Sequence, residues 1–517
     1  MNKLEPLIPK IKRNLKKFKK RGVLFVRPGY CTTKGGWLSK EEAIVAVTAA
    51  GKKPPKLPSK IEGTPVDVRP ATTVEQFSHD KPQQFSQLAD HRAEFRGTSL
   101  LPEFNPSTES VVAPIAPKVA AAHQTKIPIP YSPASVPLSP VNGAIPMICH
   151  VSPDAGWAEL QNFISGTKHR LKVSMYDFTS EHILALFKAK LKGKSIQMTL
   201  DDPPRNPTAD QADPETVQGL KSKLAKKFSS AWALVRSSPE ADSWIFPTAY
   251  HIKVMVRDSD TVWLSSGNLN NSNQPQIDPV GNPQPDDQKT AKHSDRDWHV
   301  IIESPALANT FEAYLDNDFQ VATLHAASLT PALKPPKSPT TPPSTLGNFM
   351  FAPPQLVTEQ VIITPLLTPD PGIYQAAMLN LINSVKHSLY IQLQYIHPSS
   401  DPANAKFTDL IDAVGAKINA GVDVKIILSE FQTLKGGLDA LQAAGVNLDN
   451  VKIQSNVHNK GFVFDHKIVV VSSMNWSGEG VLSNRDAGVI IENATAAQYY
   501  EKVFLDDWAH HAAQKTA

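Results

Sequence analysis

The sequence contains only two cysteines, Cys31 and Cys149, among 517 residues. Two thiols exclude a disulfide-stapled scaffold and a metal site built from cysteine alone. The sequence also lacks any run of about 18 apolar residues, so it predicts no membrane-spanning helix. Because the N-terminus has no apolar secretory core, we expect a cytoplasmic or peripheral membrane protein, with secretion by a signal-independent route left open.

Most of the chain has little net charge. The overall net charge is +4, and the segment 1–22 holds nine Lys or Arg and one Glu, so the rest of the chain carries a net −4. A mildly acidic body argues against a large groove that follows nucleic-acid phosphates. The apolar residues of the first segment recur at helical spacing, which is typical of a basic amphipathic tail on an anionic membrane surface, or of a solvated arm. These residues are Leu4, Leu7, Ile8, Ile11, Leu15 and Phe18.

Proline is frequent but clustered, with 44 residues gathered mainly in stretches that also hold alanine, serine or threonine. Such stretches are typical of linkers, and they divide the chain into folded regions. The apolar runs of the first region predict a small N-terminal α/β module. The predicted order is a tail (1–22), the module (23–76), a linker (77–146), lobe 1 (147–328), a second linker (329–355) and lobe 2 (356–517).

The two lobes repeat one another. KHRLKVSMYDF, from Lys168, precedes a helix-like segment and the strand-like SIQMTL, and KHSLYIQLQYI, from Lys386, precedes a helix-like segment and VDVKIIL. Strand, helix and strand in this order predict β-α-β units and a parallel or mixed sheet.

Each repeat ends on the same polar pattern at fixed spacing. Six positions match, and chance agreement has odds on the order of 1 in 10 million, so the pattern indicates a duplication. The matched residues are His251, Lys253, Asp258, Ser265, Ser266 and Asn268 in lobe 1 and His458, Lys460, Asp465, Ser472, Ser473 and Asn475 in lobe 2.

Strand alternation places the histidine and the lysine of each copy on one face. A tight turn after the aspartate then predicts a hairpin that returns the serine and the asparagine towards the histidine. In lobe 1 this brings Ser266 and Asn268 near His251.

This set of residues suits a phosphodiester. The lysines, Ser266, Asn268, Ser473 and Asn475 are predicted to bind phosphate oxygens, whose charge rises in the transition state. One histidine can attack phosphorus, while the other protonates the leaving oxygen and then activates water. No carboxylate cluster with metal spacing accompanies the motif, so we expect neither metal nor cofactor, with the lysines neutralising charge.

The second nitrogen of each histidine needs an acceptor. Asp297 and Asp486, each before a strand-like run, are the candidates. The separation from His251 to Asp297 exceeds that from His458 to Asp486, and the difference falls in QPQIDPVGNPQPDDQ. We interpret this stretch as an inserted loop that shapes substrate access.

The duplicated H-x-K-x4-D motif, followed by serine and asparagine, resembles the phospholipase D superfamily over residues 146–517. One departure is the family's glycine, replaced by Ser265 and Ser472. The resemblance implies two pseudo-symmetric α/β lobes, each a mixed sheet flanked by helices, that share one site. It also implies that His251 is the nucleophile, His458 the general acid, and Asp258 and Asp465 structural, so that a monomer holds a complete site.

The expected activity is hydrolysis of a phospholipid to phosphatidic acid and a head group through a phosphohistidine. A nuclease of the same superfamily, with a nucleic-acid partner, and a non-catalytic phosphate-binding scaffold remain alternatives. A cardiolipin-synthase-like transferase would bring membrane-spanning helices, which the sequence does not predict.

Overall fold

The chain folds into an N-terminal module and two α/β lobes, each lobe built on an eight-stranded mixed sheet. The predicted fold class, with two pseudo-symmetric lobes and a small N-terminal module, is confirmed. The computed structural model describes residues 3–33, 38–80, 101–107, 110–112, 125–128, 131–201, 209–236, 241–246, 248–324, 347–370 and 372–514.

The N-terminal module is a six-stranded sheet with the first helix packed against it. In spatial order its strands are Lys60–Ile61, Thr64–Pro70, Leu38–Thr48, Val23–Thr32, Glu103–Asn105 and Ser110–Val112. Its helices are Leu7–Asn14, the 3-10 turn Leu15–Phe18 and Thr73–Asp80.

The N-terminal segment predicted as a tail packs onto this module. Leu7, Ile11 and Phe18 are at most 3% exposed because they pack against the sheet and its adjoining core. The lysines of the opposite face are largely exposed. The apolar face is therefore already occupied, and a membrane contact through this segment would rest on its basic face alone.

Lobe 1 has helices packed against its sheet. In spatial order its strands are Phe228–Trp232, Ser195–Leu200, Arg170–Met175, Lys253–Arg257, Thr261–Ser265, Asp297–Glu303, Met147–Ser152 and Gln355–Val357. Its helices are Gly156–Ser165, Glu181–Lys190, Asp213–Leu224, the 3-10 turn Ala225–Lys227, Asp287–Ala291 and Pro305–Leu324. A separate small sheet contains Leu234–Arg236, Ala241–Trp244 and Thr125–Pro128.

Lobe 2 repeats this arrangement. In spatial order its strands are Val451–Gln454, Asp423–Ser429, Ser388–Leu393, Lys460–Phe464, Ile468–Ser472, Asp486–Glu492, Gln360–Thr368 and Val141–Ala144. Its helices are Tyr374–Ser384, Ala405–Asn419, Gly437–Ala443, Gly478–Leu482 and Ala494–Asp506, with 3-10 turns at Pro402–Asn404, Glu430–Gly436 and Leu448–Asn450 and a π-helical turn at Asp507–His511. The predicted β-α-β pairings are present, since the first two strands of each repeat are parallel.

The lobes exchange their edge strands. Val141–Ala144, which precedes lobe 1 in the chain, pairs with the sheet of lobe 2. Gln355–Val357, at the boundary of the second predicted linker and lobe 2, pairs with the sheet of lobe 1. Part of the predicted linker 77–146 is therefore sheet, and so is Gln355, the last residue of the predicted linker 329–355. The proline-rich composition predicted a linker here because an edge strand needs ladder bonds on one side only and tolerates neighbouring proline. Residues 329–346 of the second linker lie outside the described residues.

Candidate active site

Each motif is carried by an antiparallel hairpin in the middle of its sheet. Lys253–Arg257 pairs with Thr261–Ser265, and Lys460–Phe464 pairs with Ile468–Ser472. The histidines directly precede these hairpins, and both histidines and both motif lysines are at most 4% exposed. The predicted hairpins thus place four polar side chains inside the interface between the lobes.

The motif aspartates hold the hairpins in place. The Asp258 carboxylate accepts backbone N–H bonds from Lys168 and His169, both at 2.7 Å, and from Arg170 at 2.9 Å. Asp465 accepts three equivalent bonds at the start of the strand Ser388–Leu393 in lobe 2. Both carboxylates lie at the turns, away from the histidines, which fits the structural role implied for them.

The aspartates that orient the histidines come from the opposite lobe. His251 Nδ1 lies 2.8 Å from Asp486 Oδ1, and His458 Nδ1 lies 3.0 Å from Asp297 Oδ1. Since a carboxylate only accepts, each Nδ1 carries a proton, so in a neutral ring Nε2 holds the lone pair and in a charged ring Nε2 carries the second proton. Asp297 and Asp486 are the acceptors that the sequence suggested, but spacing within a repeat did not reveal that they are exchanged.

Backbone bonds across the lobe boundary fix this exchange. Tyr250, just before His251, forms a parallel bridge with Arg485, just before Asp486. Val457 forms the same bridge with Arg296, and His458 N donates to the carbonyl of Arg296 at 3.1 Å. The chain segments that carry each pair therefore run side by side, which aligns imidazole with carboxylate.

The serines of the motif act on the aspartates. Ser266 Oγ donates to Asp297 Oδ1 at 2.7 Å, and Ser473 Oγ donates to Asp486 Oδ1 at 2.5 Å. Each hydroxyl has a single proton, and these bonds use it, so donation from Ser266 and Ser473 to phosphate stays a prediction. They position the carboxylates that in turn position the imidazoles.

The lysines lie directly beside the imidazoles. Lys253 Nζ is 2.8 Å from His251 Nε2, and Lys460 Nζ is 3.0 Å from His458 Nε2. Lys460 Nζ also lies 3.5 Å from the carbonyl of Ser266 in the other lobe. The second motif thus contacts the first, and both ammonium groups face the atoms that would react.

The motif asparagines have buried polar atoms without partners in the described part of the chain. Asn475, 2% exposed, has neither Oδ1 nor Nδ2 paired, and Asn268 has an unpaired Oδ1. A buried amide without a partner is unfavourable by about 1–3 kcal/mol, so such groups in a site commonly meet a ligand or water. The asparagines remain the predicted phosphate-binding groups, together with Lys253 and Lys460.

Asn273, the residue directly before the inserted loop of lobe 1, contacts the site. Asn273 donates to Asp297 Oδ2 at 2.8 Å, whereas Asp486 Oδ2 has no partner among the described residues. Burial raises the pKa of the Asp297 carboxyl, but the charge and hydrogen bond of His458, with the charge of Lys460, outweigh this and hold the pKa below its usual value. Asp297 is therefore kept ionised as an acceptor.

Two buried arginines, which the sequence analysis did not single out, anchor the orienting aspartates. Arg485 makes a bidentate pair with Asp318 at 2.7 and 3.0 Å and contacts Asp370 at 3.1 Å. Arg296 makes a bidentate pair with Asp507 at 2.9 and 3.0 Å and contacts Asp154 at 2.6 Å. Each bidentate pair joins the two lobes.

A signal for these arginines is present in the sequence. Both precede the orienting aspartate in an Arg-Asp dipeptide. The separation in sequence from Arg296 to Asp318 equals that from Arg485 to Asp507. Each of these aspartates pairs with the arginine of the other lobe. An arginine in a repeated dipeptide at an equal distance from an aspartate indicates a buried ion pair of the duplicated fold.

One group of possible metal ligands lies close together among the described residues. Ligand atoms of Asp506, Asp507 and His511 lie within 4.8 Å of one another at the end of the last helix. Arg296 already binds both carboxylate oxygens of Asp507. The motif residues do not take part in this group.

Comparison with known families places the motifs in a recognised domain. A family model described as "Cardiolipin synthase, PLD-like domain" matches residues 160–319 and 378–508, together more than half of the chain. The matched segments contain both motifs and both orienting aspartates. No helix of the described residues has the length and apolar character needed to cross a membrane.

Individual relatives are distant. A "Phospholipase D" of Rickettsia conorii is 28% identical over 153 residues, which cover 29% of this chain and 70% of that protein. A "Mitochondrial cardiolipin hydrolase" of Mus musculus is 21% identical over 170 residues, which cover 31% and 73%. The solved phosphatidylserine synthase of Haemophilus influenzae aligns with a TM-score of 0.47 at 13% identity, covering 72% of this chain and 90% of that one.

Proposed function

Because the chain belongs to the phospholipase D superfamily, with a complete motif in each lobe, we propose that it hydrolyses a phospholipid to phosphatidic acid and a free head group. The observation that carries the proposal is the exchanged pair of hydrogen bonds, His251 to Asp486 and His458 to Asp297. These bonds fix both imidazoles at one lobe interface, each with its Nε2 beside a motif lysine, which suits a two-step displacement at phosphorus.

In the first step, His251 Nε2 attacks phosphorus while the bond to the head-group oxygen breaks. His458, in its protonated form, gives its Nε2 proton to that oxygen, so the head group leaves as an alcohol. Lys253 and Lys460 stabilise the negative charge that grows on the non-bridging oxygens. The product is a phosphatidyl group bonded to His251.

In the second step, neutral His458 takes a proton from water, and the water oxygen attacks phosphorus. The bond to His251 Nε2 breaks, which releases phosphatidic acid and restores both histidines. Asp486 and Asp297 stabilise the positive imidazole ring that forms in each step.

Three observations favour a lipid over nucleic acid. The chain beyond Gly22 has a net charge of −4 and so lacks the general excess of cations that phosphate tracking uses. One relative is a "Phospholipase D" and another a "Mitochondrial cardiolipin hydrolase". The exposed lysines around the first helix add a basic face for an anionic lipid surface.

The test gives the purified protein vesicles that contain phosphatidylglycerol and phosphatidylcholine, and separately a supercoiled plasmid, both with EDTA. We expect phosphatidic acid from the vesicles and an intact plasmid, and no product from His251→Asn. Nicking without lipid cleavage would assign the nuclease, and no reaction with either substrate would leave the phosphate-binding scaffold.

A further inference from the structure

The two sides of the site differ at one equivalent position. Met175 pairs with Lys253 in lobe 1, and Leu393 pairs with Lys460 in lobe 2, so the residues that follow occupy equivalent places. These residues are Tyr176 and Gln394. The duplication has therefore placed a phenol on one side of the site and a primary amide on the other.

Tyr176 shows where this position lies. Its ring centroid is 4.9 Å from that of His251, and Lys253 Nζ lies 5.2 Å from the ring. The backbone of Gln394 lies beside the equivalent segment of lobe 2, which carries His458 and Lys460. Its backbone N–H donates at 3.0 Å to the carbonyl of Asn459, the residue between them.

Gln394 is fully buried, and within the described residues neither its Oε1 nor its Nε2 has a hydrogen-bond partner. Gln392, two positions earlier, shows the usual outcome, since its amide bonds to Asp507 and Asn459. An unpaired buried amide is unfavourable by about 1–3 kcal/mol, so a group kept in this state on the residue next to the partner of Lys460 points to a ligand.

We propose that Gln394 binds the hydroxyl groups of a polyol head group, such as glycerol, in the leaving position. The inference rests on the proposed function, in which His458 protonates the leaving oxygen and so has the head group on its side. An amide accepts from one hydroxyl and donates to another. The quaternary ammonium of choline has no N–H to donate and is bound through aromatic faces.

The experiment compares phosphatidylglycerol, phosphatidylcholine and phosphatidyl-p-nitrophenol as substrates of the wild type and of Gln394→Leu. We expect kcat/KM for phosphatidylglycerol to fall about 10- to 100-fold, because the hydroxyls lose their partner. The values for the other two substrates should stay within about twofold, because their leaving groups do not use the amide. The phosphatidyl-p-nitrophenol arm is the internal control, since its leaving group carries no further hydroxyl.

Stability supplies a second readout. Leucine has a similar volume and removes the unpaired amide, so Gln394→Leu should unfold at the same or a higher temperature than the wild type. Gln394→Asn, which keeps the amide on a shorter side chain, should lose part of the phosphatidylglycerol activity and serves if the leucine variant fails to fold.

The outcomes separate the two proposals. Suppose that the wild type cleaves phosphatidyl-p-nitrophenol. Gln394 variants that then cleave phosphatidylglycerol at the normal rate, or that lose activity equally on all three substrates, overturn the role of Gln394 alone. A wild type that cleaves none of the three lipids overturns the proposed function and this inference together.

Discussion

His251 and Asp486 are 235 residues apart in the sequence, yet His251 Nδ1 lies 2.8 Å from Asp486 Oδ1 across the lobe boundary. The equivalent bond runs in the other direction, from His458 of lobe 2 to Asp297 of lobe 1. Neither lobe therefore contains an oriented histidine of its own. Docking of the lobes is therefore needed to assemble the site, and the exchanged edge strands and the arginine pairs join the same two lobes.

Replacing Asp486 by asparagine should lower kcat by about 10²- to 10⁴-fold, because the amide no longer stabilises the charged imidazole and favours the wrong tautomer. Asp316→Asn is the matched control, since Asp316 pairs with Lys172 at 2.7 Å near the surface. Steady-state kinetics on phosphatidyl-p-nitrophenol measure the effect. An Asp486→Asn variant with normal kcat would show that the exchanged bond does not act in the reaction.

Ser473→Ala distinguishes positioning from phosphate binding. Because the hydroxyl donates to Asp486 and not outward, we expect kcat to fall about 10-fold with KM within about twofold of the wild type. Asn475→Ala, which removes an unpaired amide, should weaken phosphate binding and so affect kcat/KM more strongly. A large rise in KM for Ser473→Ala, with kcat unchanged, would indicate that the Ser473 hydroxyl binds phosphate.

Arg485→Met should destabilise the protein by about 3–5 kcal/mol, because it leaves the buried Asp318 without its bidentate partner. The double variant Arg485→Met with Asp318→Leu removes both charges and should recover part of this loss. Urea unfolding of the wild type, both single variants and the double variant gives the coupling free energy. Additive effects would show that the pair does not join the lobes energetically.

Asp258 should give a stability difference that depends on pH. Partial burial raises the pKa of its carboxyl, but three backbone N–H bonds outweigh this and hold the pKa below its usual value. A lowered pKa means that the ionised group stabilises the fold above its unfolded pKa, near 3.9, and that this contribution is lost as pH falls through the folded pKa. The advantage over Asp258→Asn should be about 1 kcal/mol at pH 7, since much of the group is exposed, and should shrink below about pH 4.

The exposed Asp260, in the same turn, provides the control. It accepts a bond from the neighbouring Thr261 hydroxyl and, among the described residues, none from the backbone N–H groups that bind Asp258. Thermal unfolding of Asp258→Asn and Asp260→Asn between pH 3 and pH 7 makes the comparison. Equal effects of the two substitutions at every pH would contradict the role of the backbone bonds.

The sequence predicted the hairpins, the repeats and most site residues because these depend on local spacing. The period of two along a strand places His251 beside Lys253, and the turn after Asp258 returns the chain at a fixed distance. The structural role of Asp258 was implied by the family resemblance, and its backbone partners lie at the start of the neighbouring strand of the same lobe. These features need no knowledge of how the lobes dock.

The features that the sequence did not predict all depend on how the two lobes dock or on the edge strands of the sheets. Spacing within a repeat cannot show that Asp297 serves His458, because both repeats have the same pattern. The direction of the Ser266 hydroxyl follows from the position of Asp297, which only the folded sheet supplies. Val141–Ala144 resembles a linker in composition, since an edge strand requires little of its side chains.

The central claim is that both histidines act on a single phosphorus atom and that His251 forms the covalent bond. In His458→Asn, phosphatidyl-p-nitrophenol should still react, because p-nitrophenol leaves without a proton, but the second step lacks its base. Rapid quenching with a labelled substrate, followed by peptide mass spectrometry, should find one phosphatidyl group per chain, on His251. Label on any other residue, two labels per chain, or no label despite release of p-nitrophenol would contradict a single site with His251 as its nucleophile.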